Sequence, residues 1–236
     1  MEFIGKCLLV GVGGKKILAV GDLHFGFEEF LNRAGVFVLR KMFEEAISYF
    51  DRVFEKIGRV EEIVLLGDVK HNFGKIMGQE WGDIFGLLDY LERWCDKVVV
   101  IQGNHDKILK PIVKDRKNVE LKDFYCVGEF CFLHGDRDFV ECWDKEIKSW
   151  VVGHGHPAVK IKERHGAKVE KYKCFLVGKF KGKNVVVMPS FFEGNLGSDV
   201  RENELGLTWD LKLGNFQVQV VGEDLGVLDF GKLKEL

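Results

Sequence analysis

Five short apolar runs, each delivering a side chain of metal-ligand type, organise this chain. Val98-Val99-Val100-Ile101 runs through Gln102 into Gly103-Asn104-His105-Asp106. Residues 17–20 lead through Gly21 into Asp22-Leu23-His24, and 63–66 through Gly67 into Asp68. Residues 130–133 lead directly into His134, and 150–152 through Gly153 into His154-Gly155-His156. Short, continuous, branched or aromatic runs stopped by glycine predict buried strands. Between the first three lie two helical stripes. Leu39, Met42, Phe43, Ala46, Ile47, Phe50, Val53, Phe54 and Ile57 fall at three- and four-residue spacings and predict a helix over 38–57, stopped by Gly58. Trp81, Ile84, Phe85, Leu88 and Leu91 predict another over 79–94. The stripes need burial, so their Phe residues read as core. Ahead of them, two strands are expected within residues 2–20, around the glycine cluster Gly11-Val12-Gly13-Gly14. That cluster lacks the following helix of a phosphate loop. The first half is thus β-α-β-α-β, a parallel sheet with crossover helices.

The second half changes period. Short strands are expected near 124–127, 130–133, 150–152, 158–161, 174–179, 184–188, 206–212, 216–221 and 226–229, with one weak helix candidate over 139–149. Residues 208–213 and 216–220 alternate with period two around Gly214-Asn215, which predicts a hairpin. No linker or repeat interrupts the chain, and ligand-type residues come from both halves, so one domain spanning 1–236 is expected.

Bulk properties narrow the picture a little. The chain has 236 residues and a net charge of −2, which argues against wrapping long nucleic acid. No apolar run approaches a membrane span, and the N-terminus has no secretory pattern, so a cytoplasmic location is expected. Six cysteines are scattered without a CxxC pair and read as reduced, buried thiols.

The histidines change the picture most. Five of the seven follow a strand beside a glycine or a carboxylate. A lone His is usually structural, but structural histidines have no reason to gather at strand ends, where open α/β folds place their sites. Asp22, His24, Asp68, Asn104, His134, His154 and His156 exceed what one tetrahedral zinc can take. They suit two ions sharing a bridging carboxylate, and mixed N/O ligation favours Mn, Fe, Co, Ni or Zn over Mg or Ca.

In this order and spacing, Asp22-x-His24, Gly67-Asp68, Gly103-Asn104-His105-Asp106, His134 and Gly153-His154-x-His156 resemble the calcineurin-like metallophosphoesterases over roughly residues 15–160. Asp22-Leu23-His24-Phe25-Gly26-Phe27-Glu28, Gly67-Asp68-Val69-Lys70-His71, Lys171-Tyr172-Lys173-Cys174-Phe175-Leu176 and Pro189-Ser190-Phe191 further resemble an archaeal branch of phosphoesterases related to the SbcD nucleases. The resemblance implies an α/β fold, a four-layer sandwich of two mixed β-sheets flanked by helices. It assigns Asp22, His24, Asp68 and His156 to one metal, and Asp68, Asn104, His134 and His154 to the other, with Asp68 bridging. The cofactor expected is two divalent transition-metal ions, manganese first. His105 matches the non-ligand histidine that stabilises the transition state or protonates the leaving oxygen, and Asp106 is expected to orient its ring. The reaction expected is in-line attack on phosphorus by a metal-bridging hydroxide.

Other residues weigh less. Lys70 and His71 are weak candidates for contacting substrate phosphate, against a solvated loop. His165 reads as surface. Lys171, Lys173, Lys179, Lys181 and Lys183 read as the exposed face of a hairpin, with a basic face for a polyanion as the alternative. Asp136, Arg137 and Asp138 read equally as support for the site or a charged turn. A phosphodiesterase is the leading functional reading, its substrate a nucleic-acid end or a small or cyclic diester. A phosphomonoesterase with the same site is the alternative, and a scaffold that lost catalysis is disfavoured because every ligand type and His105 are present. Oligomeric state is not readable.

Overall fold

The computed structural model describes residues 1–162 and 168–236, so His165 lies outside the described residues. The first sheet holds β1 (Glu2–Ile4), β2 (Cys7–Val12), β3 (Lys15–Val20), β4 (Val60–Leu65), β5 (Cys95–Ile101) and β6 (Val119–Lys122), in that spatial order. The β1–β2 and β2–β3 pairings are antiparallel, and β3 to β6 are parallel. Four helices accompany it: α1 (Phe27–Arg33), α2 (Met42–Ile57), α3 (Gly78–Leu91) and α4 (Lys110–Val113). The second sheet contains β7 (Phe124–Val127), β8 (Phe130–Leu133), β9 (Ser149–Val152), β10 (Pro157–Lys162), β11 (Val169–Phe180), β12 (Lys183–Val187) and β13 (Ser198–Asp199), in the order β13-β10-β11-β12-β9-β8-β7. Two further strands, β14 (Gln217–Val221) and β15 (Val227–Lys232), extend it from β11. The parallel β8–β9 and β9–β12 pairings make it mixed.

The continuous apolar runs follow from burial on both faces. Side chains alternate across a strand, so each run feeds two cores. Ile17, Ala19, Val64, Leu66, Val99 and Ile101 meet Phe130, Phe132, Val151, Phe175 and Val186 between the sheets. The intervening Leu18, Val20, Ile63, Leu65, Val98 and Val100 pack under the helices with Phe50, Phe54 and Leu88. On the far side, Cys131, Leu133, Trp150 and Val152 form a third cluster. That cluster is covered by 3-10 turns and by the segment around Trp209 instead of α-helices.

Several elements depart from expectation. The helix expected over 38–57 starts at Met42, because the Glu28 carboxylate accepts from the Lys41 and Met42 N–H groups and fixes the start there; Leu39 is left exposed. The 79–94 helix ends at Leu91, and the 139–149 candidate is one 3-10 turn, Val140–Trp143. Residues 206–212 form no strand. Leu207, Trp209, Leu211 and Leu213 do pack on one side, which explains the period-two pattern. Their backbone joins no ladder, and Thr208 N–H donates instead to the Gly135 carbonyl. The hairpin expected around Gly214-Asn215 is therefore absent, and β14 pairs with β15 and β11. Residues 2–20 hold three strands, not two. The cysteines are not all free: Cys126 and Cys131, opposite each other on β7 and β8, are disulfide-bonded.

Candidate active site

Four ligand-type residues leave the first sheet and three leave the second, at the ends of β3, β4, β5, β8 and β9. Asn104 supplies the amide, and His134, His154 and His156 the facing imidazoles. The chain turns sharply as it leaves the strands. His24, Asp68, His154 and His156 have φ of 51°, 47°, 61° and 41°, a left-handed region that non-glycine residues occupy at a cost and that concentrates at functional sites. The turns are interlocked. The Leu23 and His24 N–H groups donate to the Asp68 carbonyl, and the Phe191 and Phe192 N–H groups donate to the Asp22 carbonyl. The Ser190 hydroxyl adds a third bond to that carbonyl, at 3.1 Å. Lys6 and Lys173, both buried, tie the 190–193 segment down through the Phe191, Ser190 and Phe192 carbonyls.

Among the described residues, two carboxylate-bearing donor groups result, beside a third made of His24, His71 and His105. Asp22, His24 and His156 place one ligand atom each within 4.8 Å of one another, and so do Asp68, His134 and His154. Asp22 Oδ1 lies 3.3 Å from His156 Nε2 and 3.7 Å from His134 Nδ1. His134 Nδ1 donates to the Leu66 carbonyl at 2.8 Å, which leaves Nε2 facing inward. That nitrogen is 3.0 Å from Asn104 Oδ1, 3.0 Å from His154 Nδ1 and 3.5 Å from Asp68 Oδ2. Burial pushes the Asp22 carboxyl up, but the His156, His134 and His24 imidazoles outweigh it and hold it below the usual range. Burial holds His24 down at about 3, so its ring is neutral.

This donor set fits divalent cations. His24 Nδ1 and His156 Nε2 are buried without a hydrogen-bond partner, a cost that a bound cation removes. Carboxylate, amide and neutral imidazole donors are what transition-metal ions take. Glycines make the approach possible. A Cβ on Gly67 would lie 2.6 Å from His134 Nδ1, and one on Gly103 would overlap the Asp68 carboxylate.

The His105 ring is steered by its surroundings differently from the sequence expectation. Its Nδ1 hydrogen-bonds the His71 carbonyl, and its Nε2 lies 3.7 Å from Asp68 Oδ2. Asp106 does not touch that ring. Its fully buried carboxylate accepts the N–H groups of Val69, Lys70 and Gly103, tying the β4 and β5 exits together. Burial, with the nearby Asp68 charge, pushes its pKa up to about 7. Lys70, a weak candidate for contacting substrate phosphate, lies in no solvated loop: it is fully buried, its ammonium without a hydrogen-bond partner. The His71 ring is instead packed among aromatic rings, 5.6 Å from His24 and 5.6 Å from His105. In the β11–β12 region Lys179 and Lys181 are exposed, as the hairpin-face reading expects, whereas Lys173 and Lys183 are buried, with Nζ donating to backbone carbonyls. Arg137 pairs with Asp123 and Asp136, and Asp138 bonds the Trp143 indole, so that stretch is a charged turn. Residues that sequence reasoning missed are Phe73, stacked on His105 at 3.6 Å between ring centroids, and Phe192, 6.0 Å from His24.

The model of the calcineurin-like phosphoesterase family matches residues 15–188. The chain belongs to that family. It is accordingly a metal-dependent phosphoesterase, a hydrolase of phosphoric ester bonds. The structure is similar to that of the Pseudomonas putida nuclease MPE, with 16% identity, 95% of this chain and 100% of that one covered, and a TM-score of 0.57; at that identity the likeness is one of fold. A protein of unknown function from Aquifex aeolicus, AQ665, aligns over 64% of this chain and 81% of its own with 17% identity and a TM-score of 0.39. No curated protein matches significantly. Among the described residues, no helix is long and apolar enough to cross a membrane.

Proposed function

We propose that this family member is a phosphodiesterase working through a dinuclear centre. The observation that carries the reading is the pair of donor groups, Asp22/His24/His156 and Asp68/His134/His154, side by side with Asn104 at one edge and His105 Nε2 turned toward Asp68. Asp22, His24, Asp68 and His156 would hold one ion; Asp68, Asn104, His134 and His154 would hold the other. Manganese is the first choice, since this set contains no thiolate and mixes oxygen with nitrogen donors. Ions bound there supply an activated water near neutral pH and neutralise charge on phosphoryl oxygens. The chain's own residues do the rest. The His71 carbonyl fixes the His105 tautomer with Nδ1 protonated, which leaves Nε2, 3.7 Å from Asp68 Oδ2, free to move a proton to or from a phosphate held there. Asp106 and the left-handed turns hold the ligands in place before substrate arrives.

The diester preference is supported by what surrounds the histidines. The rings of Phe27, Phe30, Phe73 and Phe192 pack against His24, His71 and His105. A monoanionic diester with two organic substituents suits that surface better than a dianionic monoester, and one fold neighbour is named a nuclease. Residues 1–236 then act as one unit, because each proposed ion takes ligands from both sheets. The test is His105→Ala. A fall in kcat of about 10²–10⁴-fold with unchanged metal content is expected; unchanged turnover would remove His105 from the mechanism.

A further inference from the structure

We propose that the site takes phosphodiesters of nucleosides, with Phe73 as the stacking platform for the nucleobase next to the scissile phosphate. This rests on the phosphodiesterase reading above and adds the substrate class.

Phe73 lies with its ring 3.6 Å from the His105 ring centroid and inclined by 30°. Only one face of the phenyl is used by that contact, and the side chain is 60% exposed. A large apolar ring left in water beside a catalytic residue is informative, whereas a scattered surface hydrophobe is not. Phe30 repeats the arrangement on His71. Its ring is 5.1 Å from the imidazole and 45% exposed. His71 and His105 are themselves 5.6 Å apart, so the two phenyls flank one pair of imidazoles. Ring contacts run without a break from Phe73 through His105 to the buried His24 and Phe192 and on to Phe27.

A planar group laid on the outer face of Phe73 continues the stack from His105. Its phosphate would sit on the inner side, where His105 Nε2 lies 3.7 Å from Asp68 Oδ2. Base-on-aromatic stacking contributes about 1–3 kcal/mol per base and tolerates any base, because every base has a π-face. A long single strand would need a basic groove as well. Lys70 is buried here, and the net charge is −2. The surface therefore fits one or two nucleosides and not a polymer tract.

The test compares two diesters with the same leaving group, thymidine 5′-(4-nitrophenyl phosphate) and methyl 4-nitrophenyl phosphate, with manganese-loaded protein. The expected kcat/KM ratio favours the thymidine ester at least tenfold, mainly through KM. Phe73→Leu, which keeps apolar bulk but not the π-face, is expected to cut that ratio at least fivefold, and Phe73→Trp to restore it. A wild-type ratio near one, or a ratio that survives Phe73→Leu, overturns the proposal while leaving the phosphodiesterase reading intact. Turnover of neither ester overturns the phosphodiesterase reading. Calorimetric titration with thymidine 5′-monophosphate and methyl phosphate then still decides the stacking: tighter thymidylate binding that Phe73→Leu abolishes supports it, and equal affinities overturn it.

Discussion

Gly67 has φ of 101° and joins β4 to Asp68, with no room for a Cβ against His134 Nδ1 and the Gly103 backbone. Gly67→Ala should therefore displace His134, lower stability by about 1–3 kcal/mol, and reduce bound metal per chain as read by elemental analysis. Full metal content in that variant would contradict the packing argument. The side chains that the structure gathers at the strand ends were legible in the sequence because carboxylate and imidazole after a buried run are rare enough to stand out. The group that orients His105 was not. It is the His71 carbonyl, and every residue carries a carbonyl, so no side-chain pattern marks it. Asp106 was misread for the converse reason: its side chain suggested an imidazole partner, while three backbone N–H groups claim it.

Elements were legible where side-chain period and backbone pairing agree. The five ligand-bearing runs all continue as strands, since burial on both faces leaves no alternative for a short branched run. Residues 206–212 show the failure: side chains alternate, yet the backbone is held by isolated bonds. The start of α2 was hidden because its cap, Glu28, comes from another helix. Glu28 also accepts from Gln79 Nε2, so Glu28→Ala should cost about 1–2 kcal/mol, readable by urea unfolding, through loss of a cap and of the tie to α3. A second element-level prediction concerns acid. Asp199 on β13 accepts from the Lys160 and Arg201 N–H groups and pairs with the Arg201 guanidinium. Burial pushes its carboxyl up, but the Arg201 and Lys160 bonds prevail and bring it down to about 2. A folded-state pKa below the unfolded value contributes stability above the ordinary carboxyl range and loses it as pH falls toward 2. With Arg201 a third exposed, about 1–2 kcal/mol is at stake. Asp199→Asn should be less stable than wild type at pH 6, with the gap closing by pH 2; a gap independent of pH would refute the assignment.

At the scale of the molecule, the site is a seam between two sheets whose contact is apolar. Phe132, fully buried between them, illustrates the dependence. Phe132→Ala should cost about 3–5 kcal/mol. Ions bound across the seam would be ligated from both sheets, so they should stabilise the folded chain by mass action: about 3 kcal/mol at a hundredfold excess over Kd. Chelation should then lower the melting temperature by about 5–10 °C, and an unchanged value would argue against ions bridging the sheets. The measurement that bears most directly on the function is hydrolysis of bis(4-nitrophenyl) phosphate against 4-nitrophenyl phosphate. It is run with Mn²⁺, Ni²⁺, Zn²⁺ and Mg²⁺, with Asn104→Ala as control. The expected result is diester turnover that requires a transition metal, exceeds monoester turnover and collapses in the variant. Preferential monoester turnover, or turnover indifferent to Asn104, would contradict it.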